Sequence, residues 1–533
     1  MNRISYAYGQ NHFELDPDLP YLLQLYWSDY PERRYELSQF GEFAGHELYE
    51  AGYHIDHDAP PVLVNHDLDG RRIDRIRLSP IETPLLKRLT SILRPPYEGG
   101  SWHHHFALGY LLADPGLYCI LTITGQTVYA LHKYAPEHHS VIQGLLSGEL
   151  FGATWMTENQ GGNDLGANRA RAVHGPDGWH IYGGDKYFAS GAGLADYAIA
   201  TARPDGAPTG PKGLALYLVP RLDRQGNLNF MVRRLKSKSA TRAVPSGEVE
   251  LEGSEAFLIG RAESGIYYTL ETLTVSRIAN AVASMGISQK AIIETRERVR
   301  RRQAFGHRLE DHPLVRRDLT ELAVRQAGGL ALAFQAVDLF DRAWHETPPY
   351  SIRYHYARLL THLAKNRTAE HAGRITALAM ELFGGLGFLE EYAIARWHRE
   401  ALITPIWEGT SNIQALELIE AIQKKKAHEP LLEHLRVSLD EAGTPEAQTA
   451  YKMAEVCIKQ LLAEADDAGA WYGKATLIRL ADVESVALLY NLAKYKERYA
   501  KLAMLYMLHF LENKEFPAWA MHDPTIWAPD QAG

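Results

Sequence analysis

The spacing of the hydrophobic residues changes twice along this chain. From Leu19 to about Leu150 the apolar residues recur at helical intervals, and from Phe151 to about Gly260 they fall into short runs separated by turns. The helical interval returns at Ile266 and continues from there. Such periods are the main sequence signal for helices and strands. The chain is therefore expected to be helical on both sides of an all-β segment.

The β segment contains three clear apolar runs with turn residues between them. Because no helical stretch separates these runs, they predict a small antiparallel barrel or sandwich, whereas the long helices after them predict a bundle. The runs are Trp179–Tyr182, Tyr197–Ala200 and Leu214–Val219. The predicted fold class is α+β, with an N-terminal helical domain, a central antiparallel β-barrel domain, a C-terminal helical bundle and an extra C-terminal helical region.

Proline- and glycine-rich turns divide the helical segments further. They occur at Thr347-Pro348-Pro349, at Gly384-Gly385 and at Gly443-Thr444-Pro445. The length of 533 residues suggests three or four domains of about 150 residues each. We predict four domains, which comprise residues 1–150, 151–264, 265–426 and 427–533.

The composition favours a folded protein outside the membrane. Hydrophobic residues make up 46% and charged residues 23% of the chain, which excludes a disordered class. Charged residues interrupt every apolar stretch before it reaches the length of a spanning helix, and the first ten residues carry no apolar signal segment. Cys119 and Cys457 are too few for a disulfide framework or a cysteine zinc cluster, which favours a reducing, cytoplasmic location.

Four short motifs, in order, resemble the signatures of the acyl-CoA dehydrogenase family. Each motif is weak alone, but together they span about residues 80 to 425 and identify the chain as a member. Asn163 stands where the family usually has Ser, and Phe188 where it has Trp. The motifs are Phe151 to Asp164 (FGATWMTENQGGND), Gly184 to Ser190 (GDKYFAS), Arg302 to Gly306 (RQAFG), and Leu382 to Phe388 (LFGGLGF) followed by Trp407-Glu408-Gly409-Thr410.

Several further features resemble the AidB-like branch of this family. They are Pro60-Pro61-Val62-Leu63, the segment from Ala243 to Glu248, Glu381 in place of the usual flavin-contacting Gln, Trp407 before the base position, and the helical region after Ala427. That last region also resembles the long-chain dehydrogenases.

The resemblance implies an FAD-dependent enzyme that removes an α-proton and a β-hydride from an acyl-CoA thioester. By its position in the motif, Glu408 is the base. Taken alone it could be a surface carboxylate, but Gly409 and Thr410 after it and Arg399 before it favour the catalytic role. Some members carry the base just before the Arg of the first bundle helix; here that residue is Ser276, which cannot act as one. Arg277, Trp407 and Gly409 are the candidate substrate contacts.

The same motifs imply where FAD would bind. Met156 and Thr157 should meet the pyrimidine end of the isoalloxazine, and Phe188 and Ser190 its other face and N5. Arg302 should pair with the pyrophosphate, because a guanidinium fork suits such oxygens, and Phe305 should pack on the adenosine. In the family these two residues come from the neighbouring subunit, which implies a homo-dimer or homo-tetramer.

The glycine-rich motif has a different use from a Rossmann fingerprint, because it follows a helix and not a strand. Without Cβ atoms, Gly384 and Gly385 would let the backbone approach the cofactor diphosphate closely. Thr410 and Asn412 are further candidate contacts to the same diphosphate. Glu381 cannot donate the hydrogen bond of the usual Gln, so that bond must be lost or replaced.

Three alternatives remain compatible with parts of the sequence. An AidB-like protein with a protective, nucleic-acid-binding role needs a basic surface, but residues 421–533 hold 13 basic and 16 acidic residues, so nucleic acid is an improbable partner. A nitroalkane oxidase would place Asp at the base position. An acyl-CoA oxidase and a dehydrogenase that reduces an electron-transfer flavoprotein or another acceptor are equally consistent with these residues.

The run His103-His104-His105 does not predict a metal site. Consecutive histidines on a helix point in three directions, and a metal needs a partner cluster of known spacing. One histidine is expected to line the substrate channel and the others to be solvated or packed.

Overall fold

A computed structural model describes residues 5–464 and 466–529, so the outermost residues of the first and last predicted domains lie outside the described part. The chain divides into two compact units. The first, here called the helical unit, comprises Met1–Glu50, Ser101–Asp114 and Arg277–Gly533. The second, the β unit, comprises Ala51–Gly100 and Pro115–Ser276. The division into four domains stays a prediction.

The helices confirm the predicted helical segments and the turns between them. The breaks at Pro348 and Gly384 separate long helices, and Gly443 ends one in a left-handed conformation (φ 65°) that glycine adopts easily. The helices are α1 Leu19–Tyr26, α2 Tyr30–Gly45, α3 Glu47–His57, α4 Glu82–Leu89, α5 Trp102–Leu112, α6 Pro115–Tyr134, α7 His139–Ser147, α8 Gly265–Arg301, α9 Pro313–Ala343, α10 Ile352–Phe383, α11 Ala393–Ala401, α12 Ser411–Gln423, α13 His428–Ala442, α14 Pro445–Ala463, α15 Asp466–Ala493, α16 Arg498–Tyr506 and α17 Pro524–Trp527.

The strands lie mainly between α7 and α8, as the sequence predicts. A six-stranded sheet has the order β3-β7-β4-β5-β11-β8 with a further pairing of β7 with β8, and a three-stranded sheet has the order β6-β10-β9. The strands are β1 Val62–His66, β2 Arg72–Arg77, β3 Gly152–Trp155, β4 Arg171–Gly175, β5 Gly178–Tyr182, β6 Lys186–Ser190, β7 Tyr197–Pro204, β8 Ala215–Pro220, β9 Met231–Leu235, β10 Ser246–Glu250, β11 Glu252–Leu258, β12 Gln303–Ala304 and β13 His307–Arg308.

The prediction of a purely antiparallel domain is wrong at two pairings. β3 and β4 each pair with β7 in parallel, whereas the other pairings in the two sheets are antiparallel. Parallel neighbours need a connection of a dozen or more residues, and the chain between β3 and β7 is long enough. The three runs that carried the strand prediction are confirmed as parts of β5, β7 and β8.

The predicted N-terminal helical domain also contains a β-hairpin, which the sequence prediction missed. β1 and β2 pair antiparallel, with Val62 opposite Arg77. The fully buried Asp74 sits in β2 and accepts hydrogen bonds from the Val232 backbone N–H (2.7 Å) and the Asn65 amide (2.9 Å). Because a carboxylate occupies an inward position, the strand lacks the alternating apolar pattern that would have revealed it.

The core of the helical unit is a bundle in which small residues allow close helix packing. A Cβ atom at Gly328 of α9 would lie 2.3 Å from the Tyr506 ring of α16, and one at Gly329 would lie 2.4 Å from Met285 Sδ of α8. The extra C-terminal helices are built into this bundle, since Arg367 of α10 binds Asp482 of α15 through two hydrogen bonds of 2.6 and 3.0 Å. Among the described residues, no helix combines the length and apolarity needed to cross a bilayer.

Candidate active site

Glu408 lies on a tight turn between α11 and α12 in the helical unit. Glu408 has φ 58° and Gly409 has φ 92°, so two successive residues occupy the left-handed region. A non-glycine residue in this region costs about 1–3 kcal/mol and persists only where its surroundings fix it. A Cβ at position 409 would lie 2.9 Å from the Gln414 amide nitrogen, so glycine is also required there by space.

Three buried side chains hold the carbonyl groups of this turn. Arg277 Nε donates to the Glu408 carbonyl at 3.1 Å, and Lys365 Nζ donates to the Gly409 carbonyl at 2.7 Å. Gln414 Nε2 donates to both, at 3.1 and 3.0 Å. These donors come from α8, α10 and α12, and all three side chains are buried. The strained turn is therefore fixed from three helices.

Two buried side chains near the turn, Lys365 and His362, have lowered pKa values. Burial, opposed by the charge of Glu408 and assisted by that of Arg277, lowers the pKa of Lys365 to about 7. Burial also lowers the pKa of His362 to about 3, so this imidazole is neutral. Its Nδ1 lies 2.9 Å from Gln414 Oε1. Because the amide oxygen can only accept, His362 must carry its proton on Nδ1.

The predicted substrate residues differ in their burial and in their hydrogen-bond partners. Arg277 is buried with its guanidinium on the Glu408 backbone, and Gly409 forms part of the turn itself. Trp407 is half-buried, and its indole N–H donates to the Asn280 side-chain oxygen. Ser276, the residue excluded as a base, donates its hydroxyl to the Leu273 carbonyl at 3.1 Å within α8. Of these side chains, that of Trp407 is partly exposed, whereas those of Arg277 and Ser276 are buried.

The predicted isoalloxazine contacts lie together in the β unit. Met156 and Thr157 follow β3, and Phe188 and Ser190 lie on β6. The Thr157 carbonyl accepts a hydrogen bond from the Tyr187 N–H at 3.0 Å, which joins the two segments. The Phe188 ring is 54% exposed. An exposed aromatic face of this size suits stacking or edge contact with a planar ring.

A buried ion pair that the sequence prediction missed connects the same two segments. Lys186 Nζ lies 2.9 Å from Glu158 Oε1, and neither side chain is exposed. Burial would raise the pKa of Glu158, but the charge of Lys186 and the N–H of Arg169 outweigh it and lower this pKa. Both residues belong to the first two family motifs, so the sequence offered their opposite charges as a signal but did not show that these two side chains meet.

Lys186→Met should therefore destabilise the β unit and release flavin. Removing one partner of a buried pair leaves an uncompensated charge, which costs about 3–5 kcal/mol. Thermal unfolding followed by circular dichroism and the flavin retained on gel filtration would measure both effects. Arg171→Met, which breaks an exposed pair with Asp205, is the control and should change neither. A Lys186→Met protein with wild-type stability would show that the pair does not hold these segments.

The predicted diphosphate contacts also have suitable surroundings. Cβ atoms placed on Gly384 and Gly385 would meet nothing within 4 Å, so the backbone there is open to a ligand. Thr410 and Asn412 lie at the N-terminus of α12, where backbone N–H groups favour anions. Glu381 is exposed at the end of α10, and its backbone carbonyl accepts from Gly384 N–H.

The last two predicted cofactor residues lie around a short hairpin. Arg302 is exposed just before β12, and Phe305, which is 95% exposed with φ 52°, lies between β12 and β13. A phenylalanine so exposed is typical of a contact surface. The exposed Phe188 of the β unit and, separately, the open glycines and this hairpin of the helical unit each fit FAD in residue type and exposure.

The three consecutive histidines are packed and do not form a metal site. All three side chains on α5 are buried. His104 Nε2 lies 3.1 Å from Glu36, His103 Nε2 lies 3.4 Å from Asp338, and His105 packs against Trp102. Of the two expected environments, solvated or packed, the structure has the packed one, and the expectation that one histidine lines the substrate channel stays a prediction. Within residues 5–464 and 466–529, no group of three or more His, Cys, Asp or Glu side chains could hold a metal ion.

Known sequence families match the β segment and the helical segments of this chain. Residues 153–254 match the acyl-CoA dehydrogenase middle domain and residues 263–423 the acyl-CoA dehydrogenase C-terminal domain. A β domain followed by a helical bundle is thus the domain order of the acyl-CoA dehydrogenase class. Residues 2–150 match the adaptive response protein AidB N-terminal domain. The chain belongs to the acyl-CoA dehydrogenase family and resembles its AidB branch, which confirms the sequence interpretation.

Individual relatives support the same assignment. The chain is 29% identical to acyl-CoA dehydrogenase family member 11 of Caenorhabditis elegans over 78% of this chain and 71% of that one. It is 28% identical to the putative acyl-CoA dehydrogenase AidB of Escherichia coli over 69% and 70% of the two chains. The solved structure of ACDH-11 from Caenorhabditis elegans in complex with C11-CoA has a TM-score of 0.82 and 25% identity, and the match covers 96% of this chain and 93% of that one.

A more distant structure shows the fold alone. An acyl-CoA dehydrogenase from Bacillus anthracis, solved in complex with FAD, is 17% identical with a TM-score of 0.72, over 98% of this chain and 91% of that one. FAD is the cofactor of the family.

Proposed function

We propose that this protein catalyses the FAD-dependent α,β-dehydrogenation of an acyl-CoA thioester, with Glu408 as the base. The observation that carries the proposal is the strained turn at Glu408, held by Arg277, Lys365 and Gln414. Backbone strain maintained by buried donors is typical of functional sites. The family membership and the fit of the cofactor residues agree with this interpretation.

Glu408 and Trp407 would have different roles in this reaction. Glu408 takes the α-proton as the C–H bond breaks. The half-buried Trp407 and a bound acyl chain would exclude water, which raises the basicity of a carboxylate. The backbone N–H of Glu408 is the chain's candidate donor to the thioester carbonyl, where negative charge develops as the proton leaves. Bound FAD would supply the acceptor for the β-hydride.

The electron acceptor and the substrate are proposed from the family. An electron-transfer flavoprotein is the proposed acceptor, and a protein that consumes oxygen during turnover would instead be an oxidase. Anaerobic titration of the purified protein with acyl-CoAs from butyryl-CoA to palmitoyl-CoA tests the function directly. Bleaching of the flavin absorbance by one or more of them is the expected result. A flavin that none of them reduces would contradict dehydrogenation and favour the protective role.

The protein is expected to purify with one non-covalent FAD per subunit as a dimer or tetramer. The exposed Arg302 and Phe305 are proposed to act on the FAD of a neighbouring subunit, so flavin binding and assembly should depend on each other. Absorbance after heat release measures the flavin content, and light scattering measures the mass. A monomer that holds FAD tightly would contradict the contact between subunits, and failure to bind added FAD would contradict the cofactor assignment.

A further inference from the structure

Lys365 is a buried lysine whose head group reaches the turn that carries Glu408. The residue is 1% exposed, and its Nζ donates to the Gly409 carbonyl at 2.7 Å. Lysine is almost never fully buried unless it is paired. No motif described above includes Lys365, and the ordinary explanation, a lysine extending to solvent from α10, is excluded by its burial.

Arg277, the other cation that holds this turn, lies among charged groups of α10 and α12. Arg277 of α8 binds the neighbouring carbonyl, that of Glu408, at 3.1 Å. On α10 itself, Arg358 is ion-paired with Glu417 of α12, and the neutral His362 lies 3.6 Å from the same carboxylate. Arg277 is therefore balanced by the charges of both Glu417 and Glu408, whereas Glu408 is the acidic group whose charge acts on Lys365.

Two separate physical effects of Lys365 on Glu408 follow from this arrangement. Its N–H donor fixes a carbonyl of the left-handed turn, and a reacting group displaced by about 1 Å can lose about 10²-fold in rate. Its positive charge favours the ionised form of a nearby carboxylate. Only an ionised Glu408 can accept the α-proton.

We propose that Lys365 is a positioning residue for Glu408. Lys365 holds the turn through the Gly409 carbonyl, and its positive charge keeps the Glu408 carboxylate ionised. The inference rests on the proposed role of Glu408 as the base. It adds a residue outside the sequence motifs to the machinery of that reaction.

The test compares the pH dependence of flavin reduction in Lys365→Met, Lys365→Arg and wild-type protein. Each FAD-loaded protein is mixed anaerobically with the saturated acyl-CoA that reduces the wild type fastest, over a pH range on both sides of 7. Burial lowers the pKa of Lys365 to about 7, so the charge effect should fade as the pH rises above that value. Lys365→Gln replaces Lys365→Met if the latter does not fold.

The chain offers a matched control in Lys290. This lysine on α8 is also buried and donates to a backbone carbonyl, that of Ala113, at 3.2 Å. It lies 13 positions beyond Arg277 in the same helix, about 20 Å along the axis. Lys290→Met removes the same chemical group without touching the glutamate turn.

We expect Lys365→Met to reduce its flavin about tenfold to a hundredfold more slowly at the pH optimum. The acid limb of its pH profile should move upward by about one pH unit, because a favourable positive charge is lost. Lys365→Arg, which keeps charge and donors, should retain the wild-type acid limb. Lys290→Met should also retain it, whatever its stability.

Glu408→Gln, measured in parallel, separates the two proposals. If Glu408→Gln is inactive and the neutral Lys365 variants show the wild-type acid limb, the inference about Lys365 is wrong and the base assignment stands. A Lys365→Met protein with reduced stability or FAD content but an unshifted acid limb of the pH profile contradicts the inference as well. That result would indicate a purely structural role for Lys365. If Glu408→Gln reduces its flavin at the wild-type rate, or no acyl-CoA reduces the wild type, both proposals are wrong.

Discussion

Replacing Glu408 with Gln is expected to leave FAD and acyl-CoA bound while flavin reduction falls by about 10²- to 10⁴-fold. The amide has nearly the shape of the carboxylate but cannot accept the α-proton. The turn itself should survive, because Arg277, Lys365 and Gln414 hold its backbone carbonyls and not its side chain. Anaerobic rapid mixing with the best acyl-CoA measures the rate.

A nearby glutamate provides the control for this experiment. Glu420 lies on the same helix α12 that follows the turn, and Glu420→Gln removes an equal charge without touching the candidate base. It should reduce its flavin at close to the wild-type rate. Were Glu408→Gln equally fast, the base would have to lie elsewhere, and the motif match would have identified the wrong carboxylate.

Asp482→Ala should produce the largest loss of stability among simple substitutions in the C-terminal helices. It would remove the two hydrogen bonds between the buried Arg367 and Asp482, although the bond from Arg367 to Glu370 would remain, and breaking a buried pair costs about 3–5 kcal/mol. Tyr506 would also lose its acceptor, since its hydroxyl donates to Asp482 at 2.8 Å. Denaturant unfolding followed by fluorescence measures the change.

The double variant Arg367→Met with Asp482→Leu distinguishes a buried charge from lost packing. Replacing both partners of a buried pair by apolar residues is often neutral or stabilising, so most of the stability should return. Glu433→Ala, which breaks an exposed pair with Arg436, is the surface control and should change little. An Asp482→Ala protein as stable as the wild type would show that α15 does not depend on this contact.

Local sequence patterns were sufficient to predict those strands and helix ends that depend on residues a few positions away. The strand runs at Trp179, Tyr197 and Leu214 and the breaks at Pro348 and Gly443 were all predicted from residues within a few positions. The hairpin of β1 and β2 was missed because its inward residue Asp74 is charged, and its partners come from β9 and from β1. The parallel neighbours of β7 depend on the tertiary arrangement of distant segments.

The candidate site shows the same division. Glu408 could be proposed as the base because its motif is contiguous, and in the structure a Cβ at position 409 would lie 2.9 Å from the Gln414 amide nitrogen. Lys365 could not, since its partner is a backbone carbonyl 44 positions away and a carbonyl carries no residue-specific signal. Glu158 and Lys186 lay within the family motifs, but charge alone does not reveal which lysine reaches which glutamate.

The helical unit joins the two ends of the chain, and this affects how the protein can be synthesised. Arg498 pairs with Asp18, 480 residues earlier, and Glu294 accepts from the backbone N–H groups of Tyr6 and Ala7 at 2.8 and 2.7 Å. On the ribosome the segment that contains Asp18 must wait for this partner until Arg498 has emerged. Contacts so distant in sequence slow folding and prolong the exposure of apolar surface. Dependence on chaperones during expression would be the practical consequence.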